Sequence, residues 1–203
     1  TVGVPDVLPK LVVYKLLEPA LDMDQVVHLE CYEGKLKDLL ADLALHRLDI
    51  VLADSPLTPD SHVRAFNHKL GECGVTVFGT EKLAKKYRKN FPNSLDGAPM
   101  LLPTQNTALR RYLEQWFDLQ DVAPDVTHEF EDSAVLKVFG QAGHGLFVTP
   151  SAVEDHVATQ YSVKVVGRIP EVKESFYAIS VERRLKHPAV VAISEAARNE
   201  LFS

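Results

Sequence analysis

The segment at residues 34–56, GKLKDLLADLALHRLDIVLADSP, constrains the fold of this chain more than any other. Its leucines at positions 36, 39, 40 and 43 fall on one face of a helix. The helix is followed, with almost no loop, by the continuous apolar strand at residues 49–54, which is typical of a buried parallel sheet. The strand ends in the polar turn Asp54-Ser55-Pro56, and ligands bind where such strands end. The segment therefore predicts a strand–helix–strand unit and the edge of a small-molecule site.

Strands and helices alternate along the rest of the chain, which predicts the α/β class. No Gly/Ser-rich linker interrupts the 203 residues, as expected for two lobes that are joined by strands. We predict strands at residues 2–4, 26–33, 49–54, 64–69, 74–79, 99–102, 126–130, 146–148, 162–166 and 175–182. The main helices are predicted at residues 6–21, 81–90, 107–119, 133–142 and 188–201, and Asp6 is suited to cap the first.

Composition and motifs exclude several functions. The net charge is −6, and the one basic run, at residues 85–89, reads as a solvated helix face, so we do not expect this fragment to bind nucleic acid. No apolar run approaches the roughly 20 residues of a membrane helix. Cys31 and Cys73 match no metal spacing and are expected to be reduced and buried. No nucleophile elbow, phosphate-binding loop, dinucleotide fingerprint or zinc motif is present, so we predict neither an enzyme nor a cofactor.

Five segments, in a fixed order, carry a resemblance to a known family. They are VGVPDVLP, CYEGKLKDLLADLALHRLDIVLADSP, LLPTQNTALRRYLEQWF, EFEDSAVLKVFGQAGHGLFVTPSAVED and HPAVVAISEAA. Together they resemble the effector-binding domain of LysR-type transcriptional regulators over essentially the whole chain. Residues 46–49 stand at the family's "L…G.LD" pattern, ahead of a strand, and residues 139–150 stand at its "V..G.G...P" pattern.

The resemblance implies a periplasmic-binding-protein type 2-like fold of two Rossmann-like lobes joined by crossover strands. Lobe I would comprise residues 1–78 plus 178–203, lobe II residues 79–177, and the effector would bind in the cleft between them. A winged helix-turn-helix would precede residue 1 and contact DNA, so DNA binding would not involve this fragment. The resemblance further implies a cytoplasmic homodimer or tetramer, with RNA polymerase as another partner of the full-length protein.

Several shorter segments resemble family members that activate a sodium/proton antiporter gene in response to Na⁺ or alkaline pH. They are GVPDVLPK, HLECYE, GECGVTVFGT, HEFEDSAVLKVFG and ERRLKHPAV. The alternative function is that of a solute-binding protein of a transporter, which shares the fold. A small two-lobed enzyme is a second alternative that no motif supports.

Candidate effector-binding residues lie at strand ends and helix starts, where free backbone N–H groups are available. They are Asp6, Val7, Asp54, Ser55, Pro56, Thr104, Gln105, Asn106, Glu129, Phe147 and Thr149. For Asp6, Thr104 and Thr149 the alternative role is helix capping. For Glu129 it is an ordinary exposed strand position.

The effector class is suggested by the start of the first helix. Members of the family commonly carry Ser or Thr there, whereas this chain has Asp6, which favours a cation or an amine over a carboxylate. Asp6 and Glu129 could together bind Na⁺, because carboxylates suit hard cations. The eight histidines show no metal spacing, and His128, beside Glu129, is the candidate pH sensor.

Overall fold

A computed structural model describes residues 1–58, 63–105 and 107–202 and confirms the α/β class. The strands are β1 Val2–Pro5, β2 Cys31–Gly34, β3 Ile50–Ala53, β4 Phe66–Gly79, β5 Pro99–Pro103, β6 Asp125–Phe130, β7 Phe147–Pro150 and β8 Lys164–Ser180. The helices are α1 Lys10–Leu21, α2 Leu36–Ala44, α3 Glu81–Tyr87, α4 Ala108–Gln120, α5 Ser133–Gln141, α6 Glu154–Gln160 and α7 Pro188–Ala196. Short 3₁₀ turns at Asn93–Leu95 and Ser151–Val153 and a π turn at Ala197–Leu201 complete the set.

The chain forms two compact units. The first unit comprises Thr1–Leu8, Val12–Glu72 and Ser175–Ser203, and the second comprises Pro9–Leu11 and Cys73–Glu174. The long strands β4 and β8 are neighbours in the six-stranded sheet, and each contributes residues to both units.

In the first unit, β1 pairs in parallel with β2 on one side and with β3 on the other. The chain therefore leaves β1 in one direction through α1 and returns past it through α2 to reach β3. This reversal of strand order between β1 and β3 is the kind of switch point where open α/β sheets bind ligands. The two strands end at Pro5 and Ala53, directly before Asp6 and Asp54.

The second unit repeats this arrangement. β5 pairs in parallel with β6, and Met100 of β5 forms a parallel bridge to Leu146, the residue before β7. Because α4 leads from β5 to β6 and α5 leads from β6 past β5 to β7, the switch point lies between β5 and β7. The core beneath it includes Met100, Leu102 and Leu146, all at most 1% exposed.

Two expectations about strands were wrong. Residues 64–69 and 74–79 were predicted as two strands joined by residues 70–73, and residues 162–166 and 175–182 as two further strands, yet β4 and β8 are single long strands. A Cβ atom on Gly71, in the predicted joining segment, would lie 2.4 Å from the Phe202 ring, and one on Gly167 would lie 2.6 Å from the Phe91 ring. These glycines permit close approach of neighbouring groups within a strand, rather than a turn.

The first helix begins later than predicted. α1 starts at Lys10, so Asp6 does not cap it, and residues 6–8 form a turn in which the Leu8 N–H donates to the Pro5 carbonyl oxygen at 3.0 Å. Leu8 precedes Pro9, and a residue before proline is disfavoured in helical conformation. β2 is also shorter than predicted and begins at Cys31, which is exposed rather than buried.

Candidate functional site

In the first unit, the predicted site residues lie at the carboxyl ends of the adjacent strands β1 and β3. Asp6, Val7 and Pro56 are exposed, whereas Asp54 and Ser55 are half-buried. The Asp6 N–H donates to the carbonyl oxygen of Gly34 at 3.3 Å, which ties it to the end of β2. The Ser55 hydroxyl donates to Oδ1 of Asp54 at 3.3 Å. This unit therefore presents two carboxylates and a hydroxyl at its switch point.

Sequence reasoning missed Asn67, which holds the loop that follows β3. Its Oδ1 atom accepts from the Leu57 N–H at 2.7 Å, and its Nδ2 atom donates to the Leu57 carbonyl oxygen at 3.1 Å. A side-chain amide that satisfies both backbone groups of one residue fixes that residue's position. Asn67 thereby orders the segment that carries Asp54 and Ser55.

In the second unit, Thr104 and Gln105 follow the end of β5, and Asn106 lies outside the described residues. The Thr104 N–H donates to the Phe130 carbonyl oxygen at 3.1 Å. The capping alternative for Thr104 was wrong, because Thr107 is the N-cap of α4 and its hydroxyl accepts from the Arg110 N–H at 3.2 Å. Thr149 is not a helix cap either, since it lies within β7 opposite Thr76.

Glu129 is engaged by a buried arginine that sequence reasoning missed. The Arg110 side chain is 6% exposed, and its Nη1 atom lies 2.5 Å from Oε1 of Glu129 and 3.0 Å from the Pro103 carbonyl oxygen. Its Nε atom donates to Glu114 at 2.6 Å. Burial lowers the pKa of Arg110, but its hydrogen bonds to both glutamates outweigh burial and raise that pKa above its ordinary value. Arg110 therefore ties the ends of β5 and β6 together.

The two remaining predicted residues, Phe147 and Thr149, are buried in β7 at 0% and 3% exposure. The Phe147 ring stacks on Phe78 with centroids 5.7 Å apart, so it belongs to the packed core. The Thr149 hydroxyl has no hydrogen-bond partner within the described parts of the chain.

Alternation along β6 separates His128 from Glu129. Glu129 pairs with Arg110 of α4, whereas the His128 ring lies 6.1 Å from Phe139 of α5 and 6.2 Å from His144 between centroids. Phe130 joins the same cluster, 4.9 Å from Phe139. His128 and His144 are both exposed, and the pH-sensing role of His128 stays a prediction.

A surface cavity of about 400 Å³ lies in the first unit away from these residues. Its walls include Asp49 and Ile50, at the start of β3, together with Ser180 and His187. The cavity therefore lies near the opposite end of β3 from Asp54, and none of the predicted effector residues lines it.

Within the ranges that the structure covers, no three His, Cys, Asp or Glu side chains are grouped to hold a metal ion. The same ranges contain no helix that is long and apolar enough to cross a membrane.

Comparison with known proteins identifies the class. The model of the LysR substrate binding domain matches residues 1–201, so the chain belongs to this family of effector-binding regulatory domains. The periplasmic-binding-protein type 2-like fold is thereby confirmed. Regulators of this family bind DNA and act as oligomers.

Individual relatives agree with this assignment. The transcriptional activator protein NhaR of Escherichia coli K12 is 33% identical over 202 residues, which cover 100% of this chain and 66% of NhaR. The reduced regulatory domain of OxyR2 from Vibrio vulnificus has a TM-score of 0.72 at 15% identity, covering 98% of this chain and 93% of that one. Vibrio fischeri DarR in complex with DNA has a TM-score of 0.68 at 17% identity, covering 98% and 66%. These relatives are regulators rather than enzymes, as expected from the sequence.

Proposed function

We propose that this chain is the effector-sensing domain of a DNA-binding transcriptional activator that switches on a sodium/proton antiporter gene in response to Na⁺ or alkaline pH. The observation that carries this proposal is the 33% identity to NhaR, which extends over the entire chain. The activator would work in the cytoplasm and contact DNA through a domain outside this chain. An effector that binds one conformation more tightly than another shifts their populations, and that shift would be passed to the DNA-binding domains.

The polar residues at the strand ends of each unit are the proposed effector contacts. Asp6 is exposed and accepts no side-chain hydrogen bond from the residues described, so its carboxylate is available to a cation. Glu129 remains a second proposed Na⁺ ligand, although its Oε1 atom already accepts from Arg110. A carboxylate has two oxygens and about four lone-pair sites, so Glu129 can accept from Arg110 and still contact a cation.

Thermal unfolding in NaCl and in KCl at equal ionic strength tests the sodium proposal. If the site is half-filled at about one tenth of the Na⁺ used, binding adds about 1.4 kcal/mol to the free energy of unfolding. We then expect Tm to be about 3–5 °C higher in NaCl. The difference should shrink in Asp6→Asn and in Glu129→Gln.

The control for this experiment is Asp24→Asn, which removes another exposed carboxylate of the first unit. Its sodium-dependent shift should equal that of the unchanged protein. Equal Tm values in NaCl and KCl, or an unchanged shift in both site variants, would rule out direct Na⁺ binding at Asp6 and Glu129. Transcription from an antiporter promoter by the full-length activator, measured in both salts, tests the regulatory function independently.

We also propose that the domain forms a homodimer through the exposed side of α1. Tyr14 and Leu21 lie two turns apart on this side and are both 51% exposed. The opposite side of the helix is buried through Val12, Leu16 and Leu17. A helix that is apolar on more than one side requires more than one partner. A two-fold interface would bring the same patch of both copies into contact.

Replacing both Tyr14 and Leu21 by glutamate is expected to convert the dimer to a monomer, because four added carboxylates would face each other across a two-fold interface. Sedimentation velocity over a concentration series measures the dimerisation constant. We expect the double variant to dimerise at least tenfold more weakly than the unchanged protein. The matched control is Leu119→Glu, on α4, where the leucine is 81% exposed. An unchanged constant in the double variant would exclude this face of α1.

A further inference from the structure

The surface cavity near the start of β3 lies in the first unit, at the end of the strand that is remote from the switch point. Its volume of about 400 Å³ is within the range of small-molecule sites. The residues that line it all belong to the first unit, so one compact body sets its shape. The four residues of β3 span about 13 Å between the cavity and Asp54. The cavity is therefore distinct from the effector residues proposed above.

The floor of the cavity lies where β3 and β8 meet α7. The antiparallel register of the two strands pairs Val51 with Ile179. Both residues pack in the core that contains the leucines of α2, so alternation turns Ile50 and Ser180 to the opposite face of the sheet. Val190 of α7 also lines the cavity, and Ile50 and Val190 are 1% and 6% exposed. Aliphatic side chains are therefore available to a ligand at the floor.

The one polar side chain of this floor is already satisfied by the protein. The Ser180 hydroxyl is buried and donates to the Glu182 carbonyl oxygen at 2.8 Å. Nε2 of His68 lies 3.0 Å from that hydroxyl oxygen and 3.1 Å from the same carbonyl oxygen. Because a carbonyl oxygen only accepts, Nε2 carries the hydrogen and donates. A ligand therefore need not supply a polar group at the floor, and an apolar body suits it.

The rim of the cavity carries carboxylates with oxygen atoms that are still available. Oδ2 of Asp49 accepts from the amino group of Thr1 at 2.7 Å and from its hydroxyl at 2.8 Å. Among the residues described, none donates to Oδ1 of Asp49. Glu182 lies 3.7 Å from Nζ of Lys186, which is beyond hydrogen-bonding distance. The side chains of Asp49 and Glu182 are 57% and 47% exposed, so a ligand can reach both.

The charges at the rim favour a cationic ligand. Burial raises the pKa of Asp49, but hydrogen bonds to its carboxylate outweigh burial and hold that pKa below its ordinary value, so Asp49 is ionised at neutral pH. Lys186 opposes a cation, yet its side chain is 77% exposed and can extend into water. His46 and His187 also line the rim. An imidazole is ordinarily uncharged above pH 7, so two carboxylates face one ammonium group there.

We propose that this cavity binds a small amine, in which a protonated nitrogen is attached to an apolar body such as an aromatic ring. The apolar body would lie against Ile50 and Val190, and the ammonium group would donate to Asp49 and Glu182. An ammonium group has three N–H donors, and its hydrogen bonds to carboxylates are among the stronger ones in proteins. The site is separate from the effector contacts of the two switch points, and it does not rest on the proposed function.

NMR titration of the ¹⁵N-labelled chain with three compounds of similar size tests the inference. At pH 8, phenethylamine is a cation, phenylethanol is neutral and phenylacetate is an anion. We expect the amine to bind about tenfold more tightly than the alcohol, and phenylacetate to bind more weakly than either. The amide signals that move should belong to residues 46–50 and 180–190, which form the cavity.

Variants of the rim and of the floor separate the two parts of the site. Asp49→Asn and Glu182→Gln should each weaken amine binding by about fivefold and leave the affinity for the alcohol unchanged. Both side chains are exposed, so these variants are expected to fold. Val190→Phe fills the floor and should weaken binding of the amine and the alcohol alike. The matched control is Asp24→Asn, which removes an exposed carboxylate of the same unit that does not line the cavity.

Several results would overturn the inference. Equal affinities for the amine and the alcohol would show that the rim does not recognise charge, and tighter binding of phenylacetate would assign the cavity to an anion. Signals that move only outside residues 46–50 and 180–190, or no binding of any compound at millimolar concentration, would exclude a ligand site here. An unchanged amine affinity in both rim variants would exclude their carboxylates. The proposed regulatory function would survive each result, because promoter transcription tests it separately.

Discussion

Phe147→Ala is expected to lower the free energy of unfolding by about 3–5 kcal/mol, since it removes a fully buried ring and leaves a cavity. The ring is fully buried and stacks on Phe78. It also packs directly against Gly140, where an added Cβ atom would lie only 2.2 Å from the ring. Urea denaturation followed by tryptophan fluorescence measures the loss, because Trp116 belongs to the core of the same unit. Phe147 was a candidate effector residue, and the structure gives it a role in packing.

Phe66→Ala is the matched control, because Phe66 is 43% exposed and its truncation creates no closed cavity. It should cost less than half as much as Phe147→Ala. If Phe147→Ala had near-normal stability and a lost effector response, the ring would contact the effector and our assignment of it to the core would be wrong.

The sequence was sufficient to predict those parts of the fold that local periodicity determines. The spacing of Leu109, Leu113 and Trp116 predicted a helix at residues 107–119, and α4 is Ala108–Gln120. The apolar run at residues 49–54 predicted a buried strand, and β3 is buried throughout. Local turn signals were less reliable. The segments left out between the predicted strands contain Gly71 and Gly167, and a glycine looks the same in a sequence whether it supplies a turn or permits a close contact.

Arg110 was missed because Glu129, its partner on β6, is distant along the chain. Arg110 and Glu129 are 19 residues apart, and no local pattern links them. Lys137, within VLKVF, has the sequence context of an exposed lysine on an amphipathic helix, and only the packing of α5 on β7 shows that it is buried. One signal was available, since alternation along β6 already placed His128 and Glu129 on opposite faces.

Arg110→Met is expected to lower the free energy of unfolding by about 2 kcal/mol. The variant keeps much of the apolar volume but removes the donors to Pro103, Glu114 and Glu129, and hydrogen bonds to charged groups contribute about 1.5–3 kcal/mol. The loss of stability should be smaller than that of leaving a buried charge without a partner. Glu114 and Glu129, the carboxylates that lose Arg110, are 47% and 41% exposed and can be hydrated instead. Urea denaturation at pH 7 measures the change.

The neighbouring residue provides the control. Arg111 is exposed, so Arg111→Met removes the same charge from the same helix and should change stability by less than about 0.5 kcal/mol. A double-mutant cycle of Arg110→Met with Glu129→Gln should give a coupling energy of about 1 kcal/mol or more. A coupling near zero would mean that the ion pair does not hold β6 to α4.

Arg110→Met should also weaken effector sensing, measured at temperatures where the variant remains folded. Arg110 contacts the carbonyl of the last residue of β5 and the carboxylate of Glu129 near the end of β6, so it positions two of the strand ends that carry candidate effector residues. Without it, these ends must be ordered when the effector binds, and that ordering weakens affinity. We expect the promoter response of full-length Arg110→Met to require several-fold more effector, with an unchanged maximum, whereas Arg111→Met should respond normally. A lowered maximum at unchanged sensitivity would instead place Arg110 in the conformational change that follows binding.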